Sequence, residues 1–426
     1  MTRPLDVASA PVRATVNVPG SKSIANRALV CAALADGVSH VRGCPDGDDT
    51  RAMINGLTRL GATIIHQSDG GFTVSGHGGR IRGGVEVDAL LAGTTSRFLT
   101  AVAALGTDSS VVTGAERLRA RPMAALHESL SRLGARIETL GEVGCLPVRV
   151  SRGDLRGGTV ELPGDVSSQF VTALMLIAPL LEEGLSIRLT SPLVSRPYVA
   201  MTAAVMSTFG ASGIAISDQT IEVAPDGYRA IDYLIEPDAS SASYPLAAAA
   251  ITAGDVVVPG LTTGSLQGDS AFASLLESMG CVAEIDGEGT RVHGGASLRG
   301  IDVDMADVSD LVPSLAAVAA FADTPTHIRG VGFIRNKESD RLGDLAHGLR
   351  AIGCQTEVTN DGIVISPSVP ESYHGAELAT HHDHRLAMAW SLLALRVPGI
   401  TLDDDSVVSK SWPDWWTVRA SLVVGR

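Results

Sequence analysis

An Ala/Leu-rich segment opening on polar or charged residues recurs six times along the chain: SKSIANRALVCAALADG, TTSRFLTAVAALG, SSQFVTALMLIAPLLEEG, SSASYPLAAAAITAG, DLVPSLAAVAAFAD and DHRLAMAWSLLALRVPG. The copies begin at Ser21, Thr94, Ser167, Ser240, Asp310 and Asp383, so successive starts lie 73, 73, 73, 70 and 73 residues apart. Self-similarity at a fixed period means one supersecondary unit copied along the chain, and it must be found before any local reading is attempted. A second helical pattern recurs out of phase with the first: INGLTRLGA, ESLSRLGA, AAVMSTFGA, SLLESMGC and GLRAIGC, ending at Gly61, Gly134, Gly210, Gly280 and Gly353. A glycine just past a helix adopts positive φ without a Cβ clash, so these five positions read as helix stops. The residues after each glycine are short and strand-like, as at Thr63–Ile65, Arg136–Glu138 and Val282–Ile285. Each unit therefore carries two helices and several short strands.

Six such units exceed solenoid length, and three per compact domain give roughly 210 residues, an ordinary α/β domain size. The division falls near Leu234 to Asp238. The expected domains are residues 20–237 and a discontinuous pair, 1–19 with 238–426, the strand Ala14 to Val18 joining the later half. Of the 426 residues only 4% are aromatic, so Ala, Val, Leu and Ile must supply the packing. Acids outnumber bases 47 to 33, a formal net charge of -14 that argues against nucleic-acid or membrane-surface binding. The apolar run Val171 to Leu181 is interrupted by Thr172 and Pro179 and falls far short of a bilayer span. With no apolar leader near the N-terminus and five scattered cysteines (Cys31, Cys44, Cys145, Cys281, Cys354), a reduced, cytoplasmic protein is expected.

The chemistry concentrates at the starts of the Ala-rich helices. Unpaired N–H groups and a partial positive charge make a helix N-terminus favourable to phosphate or carboxylate. Ser or Thr there is explained by capping alone. Basic neighbours change that balance: Lys22 and Arg27 beside Ser21 and Ser23, Arg97 beside Thr94, and Arg385 beside His384. Arg117, Arg119 and Arg121 precede Pro122, Lys337 and Arg341 flank Glu338 and Asp340, and Lys410 precedes Pro413. Arginine suits bidentate contact with carboxylate or phosphate, and lysine supplies a compact charge. An acidic protein that gathers its cations at helix starts points to a focused site for small polyanions. No P-loop, dinucleotide fingerprint or nucleophile elbow occurs. The run His381-His382-Asp383-His384 lacks distant matched ligands and is weak evidence for a metal.

Nine segments, PGSKSIANRALVCAALADG, AGTTSRFL, RARPM, SSQF, SRPYVAMT, EPDASSASY, IRNKESDRL, DHRLAMA and SKSWPD, resemble in kind and order those of the 5-enolpyruvylshikimate-3-phosphate synthase family. The resemblance runs from about Pro19 to Asp414. It implies an α/β fold of two inside-out α/β barrel domains, each of three βαβαββ units. It implies transfer of the enolpyruvyl group of phosphoenolpyruvate to the 5-hydroxyl of shikimate 3-phosphate, with glyphosate as an inhibitor. Shikimate 3-phosphate would be bound by Lys22, Ser23, Arg27, Ser167, Ser168, Gln169, Ser195, Tyr198, Asp310 and Lys337. Phosphoenolpyruvate would fall to Lys22, Gly93, Arg121, Gln169, Arg341, Arg385 and Lys410, with Lys22, Asp310 and Glu338 as the catalytic groups.

No metal or organic cofactor is implied. The partners are the two small substrates, and a monomer that closes its domains on them is expected. Lys22 and Arg121 are expected to matter through charge and geometry rather than stability. Phe333 stands where relatives often carry a polar side chain toward the shikimate phosphate, and Leu91 and Phe98 also depart from common forms. The related transferase acting on UDP-N-acetylglucosamine usually has a functional Cys in the stretch corresponding to Val111 to Arg121, which here has none. A non-catalytic repeat protein that binds anions is the reading from another class.

Overall fold

The computed structural model describes residues 3–424. Two compact units form, Gly20–Ile235 and Met1–Pro19 together with Glu236–Arg426, each with its own apolar core. The six Ala-rich segments become helices α1 (Lys22–Leu34), α2 (Gly93–Ala103), α3 (Ser168–Ile177), α4 (Ala239–Thr252), α5 (Val312–Ala319) and α6 (His384–Leu393). Their small apolar residues face every direction, and a helix without a polar face must be covered all round. Every residue from Ile24 to Leu34 of α1 and from Ala239 to Ile251 of α4 is buried accordingly. The second helix of each repeat is buried along one side instead. In Asp48–Arg59 the buried positions include Asp49, Ala52, Met53, Gly56 and Leu57, a stripe at helical spacing.

One repeat shows the common order. Glu86–Asp88 runs parallel to Ser110–Thr113 with α2 as the crossover. The amphipathic helix Ala124–Arg132 comes next, then an antiparallel hairpin of Arg136–Thr139 and Val148–Ser151, whose second strand pairs with Ser110–Thr113. The order strand, helix, strand, helix, strand, strand recurs around α3 and α5. Repeats one and four take their leading strand from elsewhere. Asp232–Leu234 lies parallel to Asp36–Arg42, and Arg13–Thr15 lies parallel to Asp255–Pro259. The chain thus exchanges leading strands where it crosses between units. At the second crossing the Ile235 N–H still donates to Arg42 O at 2.9 Å, and the Asp238 N–H already donates to Pro19 O at 2.8 Å. In the sixth repeat the N-terminal pair Arg3–Pro4 adds antiparallel to Thr401–Leu402. Among the described residues the strands form separate sheets, five of four strands and one of three, with no closed barrel.

All five expected helix-stop glycines have positive φ, +116° at Gly61, +106° at Gly134, +90° at Gly210, +105° at Gly280 and +97° at Gly353. Trp390, Trp412 and Trp415 are core residues, with the Trp415 Nε1–H donating to Ser391 Oγ at 3.2 Å. The cysteines are unpaired, and burial pushes the Cys31 and Cys44 thiols up to about 12, so neither is a reactive thiolate at neutral pH. No helix among the described residues is long and apolar enough to cross a membrane.

Gly348 tests the packing around α6. A Cβ there would lie 2.5 Å from two atoms of the Trp390 ring. That ring cannot swing aside, because its Nε1–H is held by Ala379 O at 3.0 Å in a buried setting. Helix propensity alone would favour alanine by up to about 1 kcal/mol. Overpacking opposes it by about 1–3 kcal/mol. Gly348→Ala should therefore lower stability in a denaturant titration, and a raised midpoint would show that the ring is free to move.

Candidate active site

The helix starts are built by side-chain caps. Ser21 Oγ accepts from the Ile24 N–H at 3.5 Å and Ser167 Oγ from the Gln169 N–H at 3.3 Å. Asp238 Oδ1 accepts from the Ser241 N–H at 2.6 Å and Asp383 Oδ1 from the Arg385 N–H at 2.9 Å. Each cap satisfies one of the donors a helix leaves open at its N-terminus and fixes the direction of the first helical residues.

In the Gly20–Ile235 unit, Lys22 Nζ lies 3.0 Å from Asp49 Oδ2. Arg27 is one turn deeper and only 2% exposed. Its Nε donates to Thr202 Oγ1 at 2.8 Å, its Nη1 to Ser23 O at 2.7 Å, and its Nη2 to Tyr198 O at 3.2 Å and Thr172 Oγ1 at 3.4 Å. Burial lowers this guanidinium to about 10, which leaves it charged at neutral pH. Arg27 therefore ties α1 to α3 and to the helix Arg196–Thr208, and its partner in residue 23 is the carbonyl rather than the hydroxyl. Ser195, at the start of that helix, is buried with φ +55°. Arg97 Nη1 donates to Gln169 Oε1, and its guanidinium also lies 5.2 Å from the Phe170 ring. Gly93 leaves the space these arginines use: a Cβ on it would stand 2.7 Å from Arg121 Nη1 and 2.9 Å from Arg97 Nη1. Ser168 is buried in the first turn of α3.

The other unit gathers acids and bases more densely. Asp310, in the tight turn Ser309–Leu311 before α5, receives Arg385 Nη2 on Oδ2 at 2.7 Å and Arg341 Nη1 on Oδ1 at 3.0 Å. Lys337 Nζ is 3.6 Å from the same Oδ1. Arg341, first residue of the helix Arg341–Ala351, is 1% exposed. It also donates from Nε to Asp383 Oδ2 at 2.7 Å and from Nη2 to Glu338 Oε2 at 2.7 Å. Glu338 in turn receives Lys410 Nζ on Oε1 at 3.1 Å. Six of the expected site residues, Asp310, Lys337, Glu338, Arg341, Arg385 and Lys410, thus meet in one network of hydrogen bonds and ion pairs.

The electrostatics arise from that geometry. Burial pushes the Asp310 carboxyl up, but Arg385, Lys337 and Arg341 outweigh it and hold the group well below the usual carboxylate range. For Arg341 burial works against the charge, and Asp383, Glu338 and Asp310 reverse it and raise the group. Lys337 is lowered by burial, with Arg341 and Arg385 adding to the effect against Asp310 and Glu338. A carboxylate kept ionised among cations can accept a proton from a polarised hydroxyl, and cations facing solvent can take phosphate or carboxylate oxygens.

Several groups that matter carry little or no mark in the sequence. Asp49 is the carboxylate beside Lys22, and Asp383 serves both as the α6 cap and as an Arg341 partner. Asp directly before an apolar helix is a capping signal, so Asp383 is findable on that ground. Nothing local marks Asp49, which lies 27 residues from its partner. Phe333 offers no hydrogen bond from its ring; Lys337 Nζ lies 5.8 Å from the ring centroid, a cation–π contact. Arg117 and Arg119 belong to a short helical turn, Glu116–Arg119, ahead of Arg121. The histidines diverge: His381 Nε2 faces Asp344 at 3.5 Å and His382 Nδ1 faces Asp404 at 3.9 Å, and no group of three potential metal ligands gathers among the described residues.

The family described as EPSP synthase (3-phosphoshikimate 1-carboxyvinyltransferase) matches residues 7–418. The 3-phosphoshikimate 1-carboxyvinyltransferase of Nostoc punctiforme is 40% identical over 410 residues, covering 96% of this chain and 96% of that protein. Among solved structures, EPSP synthase from Acinetobacter baumannii superposes with a TM-score of 0.81 at 28% identity, covering 98% of this chain and 97% of the other. The enolpyruvyl transferase NikO from Streptomyces tendae shares the fold with a TM-score of 0.76 at 20% identity, covering 99% and 98%.

The Lys22–Asp49 pair changes one expectation about stability. Asp49 is 3% exposed, so Lys22→Ala strands a buried carboxylate and should cost about 1–3 kcal/mol in urea unfolding. The double variant Lys22→Ala/Asp49→Asn should recover much of that loss. Equal stability of Lys22→Ala and the parent would show that the pair is solvated in solution.

Proposed function

Because the chain belongs to the EPSP synthase family, we propose that it transfers the enolpyruvyl group of phosphoenolpyruvate to the 5-hydroxyl of shikimate 3-phosphate, releasing phosphate. The observation that carries this reading is the Asp310 carboxylate, half-buried and held ionised by Arg385, Arg341 and Lys337. In this reading Asp310 accepts the proton of the 5-hydroxyl as its oxygen attacks C2 of phosphoenolpyruvate. The methylene carbon takes a proton and becomes a methyl group, which gives a tetrahedral adduct. Loss of a methyl proton and departure of phosphate then restore the double bond.

Glu338 and Lys22 are the proposed carriers of the protons at the methylene carbon. Glu338 sits between Arg341 and Lys410, within the same cluster of cations. Lys22, Arg121, Arg341, Arg385 and Lys410 offset the repulsion between two anions, supported by Gly93 and Gln169. Shikimate 3-phosphate is assigned to Ser23, Arg27, Ser167, Ser168, Gln169, Ser195, Tyr198, Asp310 and Lys337. Arg27, enclosed by Thr172, Thr202 and Tyr198, supports that site through its fixed position as well as its charge. Each unit is read further as an inside-out barrel, with α1, α2 and α3 or α4, α5 and α6 inside. Support comes from the burial of those helices and the partly exposed faces of the surrounding strands. A reducing cytoplasm suits the unpaired cysteines.

Phosphate release should require both substrates and should vanish when either is omitted. Turnover with UDP-N-acetylglucosamine in place of shikimate 3-phosphate would overturn the substrate assignment. Glyphosate should inhibit in competition with phosphoenolpyruvate. An added methyl at residue 93 crowds the guanidinium ends of Arg121 and Arg97, so Gly93→Ala should raise the glyphosate inhibition constant at least about tenfold, or about 1.4 kcal/mol, and raise KM for phosphoenolpyruvate less. Equal shifts in both constants would remove residue 93 from the discriminating part of the pocket.

A further inference from the structure

The turn Gly268–Ala271 lies under the start of α4 and belongs to none of the helix-start segments. It grips that start at two points. The Ala239 N–H donates to Gln267 Oε1 at 3.0 Å, and the Ser240 hydroxyl donates to Asp269 Oδ2. Gln267 is itself fixed, its Nε2 donating to Glu236 Oε1 at 2.7 Å and Pro237 O at 2.7 Å. Ser240 Oγ also lies 3.4 Å from Arg385 Nη2, the same nitrogen that donates to Asp310 Oδ2 at 2.7 Å. Arg385 Nη1 reaches the Asp310 carbonyl at 3.3 Å. The order is a relay: carboxylate, hydroxyl, guanidinium, carboxylate.

A carboxylate is an expensive group to bury without a purpose. Asp269 is 3% exposed. Around it stand Ser240 and Asp238 of the α4 start, Asp310 before α5, and Arg385 on α6. Burial and then Asp310 push its carboxyl up to about 6, against the pull of Ser240 and Arg385. As acceptor of the Ser240 hydroxyl it leaves the oxygen lone pairs of Ser240 to face Arg385.

We propose that Asp269 is a positioning residue: through Ser240 it fixes the direction of the Arg385 guanidinium, and so the affinity of the site for the anion that this arginine binds. Asp310 holds the guanidinium through its carboxylate and its carbonyl, and Ser240 adds a contact from α4. The proposal rests on the reading of Arg385 as a phosphoenolpyruvate ligand.

Steady-state kinetics on Asp269→Ala, Ser240→Ala, the double variant, Asp269→Asn and Arg385→Ala test it, with urea unfolding as the folding control. Asp269→Ala and Ser240→Ala should each raise KM for phosphoenolpyruvate about five- to twentyfold with kcat within about threefold, the pattern of lost ground-state binding. KM for shikimate 3-phosphate should move much less. Because both act through one hydroxyl, the double variant should be no worse than Asp269→Ala, a non-additivity that a double-mutant cycle reads directly. Asp269→Asn keeps an acceptor for Ser240 and should recover most of the affinity. If Arg385→Ala raises KM for phosphoenolpyruvate and neither Asp269→Ala nor Ser240→Ala does, the relay is wrong and the ligand assignment stands. If Arg385→Ala leaves that KM unchanged, the assignment of Arg385 fails first. Additive effects of the two single variants would also overturn the relay.

Discussion

Arg341 is the residue on which the Met1–Pro19 and Glu236–Arg426 unit is organised. A guanidinium with 1% exposure has lost nearly all its water, and the effective penalty for such an ion is several kcal/mol. Three carboxylates answer it: Asp383 on Nε, Asp310 on Nη1 and Glu338 on Nη2. The three arrive from different places, the α6 cap, the turn before α5 and the turn before the arginine's own helix. One side chain therefore fixes the relative placement of two repeats and the segment between them. Loss of any one carboxylate would leave the cation under-paired, so the arrangement tolerates little drift.

That rigidity has a chemical use. The fork geometry of Arg341 leaves Asp310 with an oxygen for Arg385 and brings Lys337 and Lys410 to the edge of the same network. Four cations then stand with Asp310, Glu338 and Asp383 in one network, and Asp269 lies behind Arg385. The cations proposed to attract two negative substrates also hold Asp310 ionised, so in that proposal substrate binding and base strength come from one set of contacts. Preorganised charge of this kind contributes most where water is excluded, because nothing needs to reorient as the reaction proceeds. The cations also make Asp310 a weaker base than a free carboxylate, so the proposed proton transfer depends on polarisation of the hydroxyl.

The repeat makes much of the fold legible. Six apolar helices starting 70 or 73 residues apart and five glycines with positive φ can be read directly, because both depend on local sequence. The exchange of leading strands rests on pairings such as Asp255 with Arg13, 242 positions apart, and no local pattern encodes such a contact. At the site, basic residues at helix starts are visible as cations, but their partners are not. In the sequence Asp49 is an ordinary first-turn acid and Asp269 a loop residue, yet both are buried under cations or hydroxyls of the site. Helical spacing puts Arg27 on one face with Ser23 and says nothing of how deep that face lies. The structure spends its donors on three protein elements, which is a matter of depth rather than of helical spacing.

The central claim is that Asp310, kept ionised by its three cations, receives the proton of the attacking hydroxyl. Single-turnover phosphate release by the parent protein and by Asp310→Asn, with shikimate 3-phosphate affinity measured alongside, tests it most directly. The amide keeps the shape and removes the basicity, so the chemical step should slow by about 10²–10⁴-fold. Affinity for shikimate 3-phosphate should stay the same or rise, since one negative charge has left a cationic site. A variant that releases phosphate at the parent rate, or that loses rate only in proportion to lost binding, would contradict the account.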